Sequence, residues 1–354
     1  MSLLTRRIVG EAPMKMEERL PEDISKIKRK PRSDSTLLPS RPSLKGALEV
    51  NNILGKAEYL LKDLIKGPES IVVEGGGYDL EPVCGRPLGI RRYRKDELIV
   101  MDAYLGIFTV NFAQGTFKQL LKGGLKINNE PLMFLNDLDV VNEDLIIFTD
   151  SSSRWDRRRF FSILLEAIPN GRVLTLVPST GKVTVIMDNL FFPNGIQMLP
   201  DNESFIVAET GLARIKRHWL FGRKKGNSQI FAENLPGLPD NIRQSLQKTY
   251  WVGLAAIRRH QQTSIFDFFA DQIALREILL KLIPHRYLHF LLAFKSHHAM
   301  IIELDGNGKI ISSAHDLTGS VISDVSQVTD SSKYLYLGSF HANFIAVIPK
   351  QAIK

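Results

Sequence analysis

Six short phrases hold the residue types that could do chemistry. They are GPESI with Glu69, RPLGI with Leu88, FLNDL with Asn136, FPNGI with Asn194, LPDNI with Asp240 and Asn241, and VISDV with Asp324. All but RPLGI put Asn, Asp or Glu there, in a short turn followed by an apolar run. Amide and carboxylate oxygens gathered without His or Cys suit a hard cation. Ca2+ takes about 6–8 oxygen ligands, a shell that one Glu, one Asp, a few Asn and waters can fill. The same residues are also ordinary turn formers, so the repetition points to a metal where any single phrase does not. Other chemistries find no support. There is no phosphate-cradling Gly-rich loop, no G-x-S-x-G and no zinc-spaced cysteine set. The basic clusters Arg154 with Arg157 to Arg159, and Arg223 to Lys225, lack interleaved stacking aromatics and argue against a nucleic-acid partner.

The phrases need a scaffold that brings them together. ELIVMD at Glu97, DLIIFTD at Asp144, SFIVAET at Ser204, TYWVGL at Thr249 and KYLYLGSF at Lys333 are apolar runs ending in small or polar residues. Their starts lie 47, 60, 45 and 84 residues apart. Four-stranded propeller blades repeat at about 40–50 residues, so an all-β propeller with insertions is expected, with a β-sandwich as the rival. Hairpins are expected at 172–187 and 299–313. In a propeller the innermost strand of each blade starts beside the central channel, and the phrases would converge there.

Residues 1–46 read as a disordered basic tail and 47–66 as a short amphipathic helix, with Leu48, Ile53, Leu54, Ala57, Leu60, Leu61 and Leu64 at helical spacing. The propeller is expected over 67–354. An amphipathic helical insertion at about 264–294 would lid the channel mouth, lie on a membrane or meet a protein partner. The 354 residues are 44% hydrophobic and 24% charged with a net charge of +8, an ordinary globular balance that excludes collagenous or mainly disordered chains. No stretch is apolar enough to span a bilayer and the N-terminus has no signal-type apolar core. The expectation is neither anchor nor export signal. Cys84 is the one cysteine, so no internal disulfide can form.

From GPES through EPVCGRPLGIR, DAYLGIFTVN, FLNDL, FTDSSSRWDRR, FPNGIQ, VAETGLARIKR, ENLPGLPDNIR and YWVGL to YLYLGSF, the chain resembles the strictosidine synthase-like family of six-bladed propellers. The resemblance implies a six-bladed β-propeller and a central Ca2+ held by Glu69, Asn136, Asn194, Asp240 and Asn241. It implies arylesterase-type hydrolysis of a small-molecule ester, the metal polarising the carbonyl. More distant paraoxonase-like relatives use a histidine where Leu88 stands. Plant strictosidine synthases use a glutamate where Asp324 stands, which makes Asp324 the candidate catalytic base. Aspartate is one methylene shorter, and catalytic geometry tolerates little displacement, which argues against the condensing reaction. Only 19 residues separate Glu69 from Leu88, too few for a blade, so the first blade is expected to be incomplete. The family's hairpin there carries a cysteine that pairs with the one at Cys84. The family is also membrane-anchored in the secretory pathway or at the cell surface, and in that setting Asn202 of Asn-Glu-Ser would be a glycosylation site. The competing expectation is a non-catalytic propeller, with structural calcium, acting as a membrane-associated adaptor.

Overall fold

A computed structural model describes residues 38–63, 80–258, 265–284, 287–288, 290, 295–340 and 342–353. The strands in chain order begin with β1 (Glu58–Leu60). Blade I is β2 (Pro87–Arg94), β3 (Glu97–Asp102), β4 (Gly106–Asn111) and β5 (Thr116–Lys122). A ribbon of β6 (Lys126–Ile127) and β7 (Glu130–Pro131) follows. Blade II is β8 (Leu135–Asn142), β9 (Leu145–Asp150), β10 (Gly171–Val177) and β11 (Lys182–Leu190). Blade III is β12 (Pro193–Met198), β13 (Ser204–Glu209), β14 (Arg214–Trp219) and β15 (Ser228–Ala232). Blade IV is β16 (Gly237–Gln244), β17 (Tyr250–Ile257), β18 (Ala299–Leu304) and β19 (Ile310–Asp316). Blade V is β20 (Val325–Asp330), β21 (Tyr334–Ser339) and β22 (Ile345–Pro349), completed by β1 on its outer edge. The fold is a β-propeller of five four-stranded blades among the described residues. All pairings are antiparallel, and the expected hairpins are β10–β11 and β18–β19.

The apolar runs are continuous because each blade is covered on both faces. Odd and even residues of one strand are then both buried. In β9, Ile146 and Phe148 face Ile99 and Met101 of blade I, while Ile147 faces Phe205 and Val207 of blade III. In β13, Ile206 and Ala208 turn the other way, onto Tyr250, Val252 and Ile302 of blade IV. Trp251 and Ile301 pack onto Val328, Leu335 and Leu337 of blade V. Each such side chain contributes about 1.5–3 kcal/mol by leaving water. No comparable apolar layer joins blades V and I among the described residues. There Arg86 donates from Nη2 to the Phe340 carbonyl at 2.8 Å.

Two expectations about the N-terminal part need correction. The described part of the span 47–66, residues 47–63, is not an amphipathic helix. It holds single turns at Gly46–Leu48 and Leu54–Lys56, then β1. Its apolar residues serve separate blades, Leu48 packing with blades III and IV and Leu54 with blade V. Asn51 fastens the strap to β19, donating to the Ser313 carbonyl at 3.0 Å and accepting from the His315 amide at 2.9 Å. The end of the expected tail is also engaged, since Arg258 donates to the Pro39 carbonyl at 2.5 Å. Residues 1–37 lie outside the described residues. So does most of the expected incomplete first blade, residues 64–79.

Four helices complete the described chain: α1 (Glu81–Cys84), α2 (Phe160–Glu166), α3 (Ile265–Asp271) and α4 (Ile273–Leu282). Cys84 is exposed with a free thiol. Helix α2 connects β9 to β10, and α3 and α4 lie between β17 and β18, so all three emerge from the end of the ring where the innermost strands begin. They share an apolar cluster of Phe161, Leu165, Phe269 and Leu288. Among the described residues no helix is long and apolar enough to cross a membrane.

One polar layer runs through the channel. Each innermost strand contributes the residue three places after its phrase position: Arg91, Asp139, Gln197, Arg243 and Gln327. Arg91 Nε lies 3.5 Å from Asp139 Oδ1, Gln197 donates to Asp139 Oδ2 at 2.9 Å, and Arg243 donates to Gln327 Oε1 at 2.7 Å. Asp137, fully buried, sits among them. Arg243 grips it with two hydrogen bonds of 2.7 and 3.1 Å. Arg91 adds one of 3.2 Å and the Ile196 amide one of 3.0 Å. Burial alone would raise the Asp137 carboxyl, but Arg243 and Arg91 outweigh it and hold it below the usual carboxylate value. A folded pKa below the unfolded value of about 3.9 gives stability that is complete above about pH 4 and is lost as pH falls through the folded value. Asp137→Asn is expected to cost roughly 3–5 kcal/mol at neutral pH and to flatten the acid limb of stability. Urea unfolding of both chains from pH 7 to pH 2 tests this; an unchanged acid limb would show that Asp137 is not the titrating anchor.

Candidate functional site

Among the described residues, all five innermost strands carry an extra residue at their start. The ladder register slips between Pro87 and Gly89, Leu135 and Leu138, Pro193 and Ile196, Pro239 and Ile242, and Val325 and Gln327. Such bulges bend a strand and re-aim its side chains. Asn136, Asn194, Asp240 and Asn241 all lie within them. The bulges also let neighbouring inner strands approach closely. A Cβ on Gly195 would stand 2.5 Å from the Ile242 nitrogen and 2.6 Å from the Asn241 Cα, so only glycine fits there. Asn194 and Asp240–Asn241 therefore meet across one blade interface.

Asn136 and Asn194 meet across the next. The Asn136 amide nitrogen donates to Ser151 Oγ at 2.9 Å, and Ser151 Oγ donates to the Pro193 carbonyl at 2.7 Å. Thr149 Oγ1 donates to the Asn194 carbonyl at 2.9 Å. With its nitrogen engaged, Asn136 has Oδ1 left as the acceptor for a further partner. Asn194 is 5% exposed, and its Oδ1 is buried without a hydrogen-bond partner. Leaving a buried acceptor unmade costs about 1–3 kcal/mol, so native structures seldom tolerate one without a purpose. Ser326 Oγ, at the bulge of β20, is a second such atom.

Asp324 immediately precedes β20 with a left-handed φ of 56°. Its carboxylate pairs with the Lys295 ammonium. Lys295 Nζ also donates to the Ala255 carbonyl at 2.7 Å and stands 5.4 Å from the Phe340 ring centre. Burial lowers the Lys295 amine to about 7, against the pull of the Asp240 charge. On the other side of the mouth is an apolar wall of Leu88, Ala103, Phe134, Trp155 and Phe192, with the Phe134 and Phe192 rings 5.7 Å apart.

The structure thus gathers Asn136, Asn194, Asp240 and Asn241 on three adjacent inner strands, with Asp324 beside a fourth. Glu69 lies outside the described residues. Among the described residues, no group of three His, Cys, Asp or Glu side chains is placed to hold a metal. A site here is built from amide oxygens and one carboxylate, a hard-cation set, and the orphaned Asn194 oxygen fits that role. Asn202 is exposed in the β12–β13 turn, at the far end of its blade from the mouth.

Residue-by-residue reading missed Lys295, Ser326 and the Asp137 cluster. The channel layer had a signal, the constant offset of three from each phrase. Lys295 had none, because it ends a helical insertion that repeats nowhere else.

The chain matches the family model described as strictosidine synthase over residues 136–223. It is 38% identical over 341 residues to the adipocyte plasma membrane-associated protein of Salmo salar, covering 87% of this chain and 81% of that protein. It is 36% identical over 273 residues to the Arabidopsis thaliana protein called strictosidine synthase-like 10, covering 76% of this chain and 71% of that one. Among solved structures, one provisionally described as a gluconolactonase superposes with a TM-score of 0.50 at 13% identity, covering 84% of this chain and 83% of that one, a likeness of fold. On the strength of the sequence identity, the chain belongs to the strictosidine synthase family, with the adipocyte plasma membrane-associated proteins among its relatives.

Proposed function

We propose that this propeller is a calcium-dependent ester hydrolase of the arylesterase type. The observation that carries the reading is the buried, partnerless Asn194 oxygen at the meeting point of Asn136, Asp240 and Asn241. Those four residues would hold the ion, and Glu69 would add a second carboxylate. Bound there, Ca2+ supplies Lewis-acid polarisation of a carbonyl oxygen. The chain's own groups do the rest. Leu88, Phe134, Trp155 and Phe192 form an apolar wall suited to an aromatic ester and exclude water from one side. Leu88 offers no proton acceptor, so that role falls to Asp324, paired with Lys295. The architecture is read as a six-bladed plan with a shortened first blade, because β20 and β2 lack the apolar layer that joins every other adjacent pair of inner strands. If the chain enters the secretory pathway, Asn202 is placed to carry a glycan without obstructing the mouth.

Millimolar Ca2+ should raise the melting temperature over that in EDTA, and Mg2+ should not. At 100 times its Kd a ligand adds about 2.7 kcal/mol. Asn194→Ala removes the orphaned oxygen, so it should be at least as stable as the wild type in EDTA, lose most of the calcium response and lose aryl-ester turnover with it. A full calcium response in Asn194→Ala would refute the ligand assignment.

A second reading is favoured by one observation. Phe268, Ile278, Leu282 and Phe290 on and after α3 and α4 are exposed, Leu282 by 75%. Such a patch on the mouth face suits a membrane surface, with calcium structural and no turnover. The chain should then co-sediment with phosphatidylcholine–phosphatidylserine vesicles, and Leu282→Glu with Phe290→Glu should lower the bound fraction several-fold. Equal binding by the double variant would dismiss the patch.

A further inference from the structure

Lys295 is out of place in a cation site. It arrives from the helical insertion, just before β18, and puts an ammonium against Asp324 at the mouth. Its Nζ is held in a defined position by the Ala255 carbonyl at 2.7 Å, on a strand of blade IV, with the Phe340 ring of blade V beside it. Asp240, a proposed ligand, also acts on it through its charge. Asp324 pairs directly with the tethered ammonium, and Asp240 is near enough for its charge to act on it. A divalent ion entering that arrangement would meet a like charge at short range in a poorly hydrated site. Without the ammonium, the same ion would meet only carboxylate and amide oxygens. In a desolvated setting that difference is large.

We propose that the Lys295 ammonium is a built-in counter-cation that competes with Ca2+ for the carboxylates of Asp324 and Asp240. It steadies the unloaded mouth and is displaced when the ion binds. The four-carbon stem of lysine is flexible enough to withdraw the charge without moving the backbone. This rests on the calcium reading above, and it makes Lys295 a positioning residue that sets metal affinity.

The test is calorimetric titration of Ca2+ into the full chain, as wild type, Lys295→Gln, Lys295→Met and Lys295→Arg. Gln keeps a donor for the Ala255 carbonyl, and Met keeps only the stem. Both should bind Ca2+ on the order of tenfold tighter or more, the scale of one unit charge removed from a partly screened site. Arg, which keeps the charge, should stay within a few-fold of the wild type. Thermal unfolding adds a readout that a merely structural lysine would not move. Lys295→Gln should melt below the wild type in EDTA and recover or overtake it in saturating Ca2+. Wild type and Lys295→Gln binding equally would overturn the competition while leaving the ion site standing. Absence of Ca2+ binding by all four chains would overturn the ion site and this proposal together.

Discussion

A buried carboxylate that must stay charged organises this molecule. Asp137 is sealed from solvent, and two guanidiniums and a backbone amide from other blades converge on it. An unpaired charge in that position would be intolerable, and a buried pair holds only where the geometry is good. Because the partners come from β2, β12 and β16, satisfying Asp137 sets the relative height of inner strands that share no covalent link. Gln327 extends the tie to β20 through Arg243. Apolar layers between the blades supply most of the stabilisation, but they tolerate sliding. The ionic hub gives a reason for one register over its neighbours.

That register has a functional consequence. Directly above the hub, every described inner strand bulges, and the bulges bring amide and carboxylate oxygens to one mouth. The hub is fully satisfied by hydrogen bonds, and the mouth is not. Asn194 and Ser326 each keep a buried oxygen without a partner, and the Lys295 charge sits against the Asp324 carboxylate. The unmet atoms at the mouth are acceptors of the kind the proposed cation would need.

Much of the scaffold was legible in the sequence for a physical reason. Strands covered on both faces become uninterrupted apolar runs, so DLIIFTD and SFIVAET announce themselves. The Asn-rich phrases were legible because bulge geometry repeats from blade to blade. The hub was harder, since Arg91, Asp139, Gln197, Arg243 and Gln327 share a position and no chemistry; only their common offset betrays them. The strap at 47–63 misled because its apolar residues fall at helical spacing while packing on different blades. Gly46, Asn51, Asn52 and Gly55 are the sequence clues that no helix runs through it. Lys295 could not be found by pattern, because an ion pair between an insertion and the start of a distant strand leaves no local trace.

The central claim is that the bulged inner strands converge on a cation through Asn194. A crystal grown with Ca2+, with Tb3+ substituted for its anomalous signal, addresses that directly. The account predicts a metal peak bonded to Asn194 Oδ1, with a Ca–O distance of about 2.3–2.6 Å, and with Asn136, Asp240 or Asn241 oxygens in the same shell. A water or a side-chain donor on Asn194 Oδ1 in saturating metal, with no peak at the mouth, would contradict it.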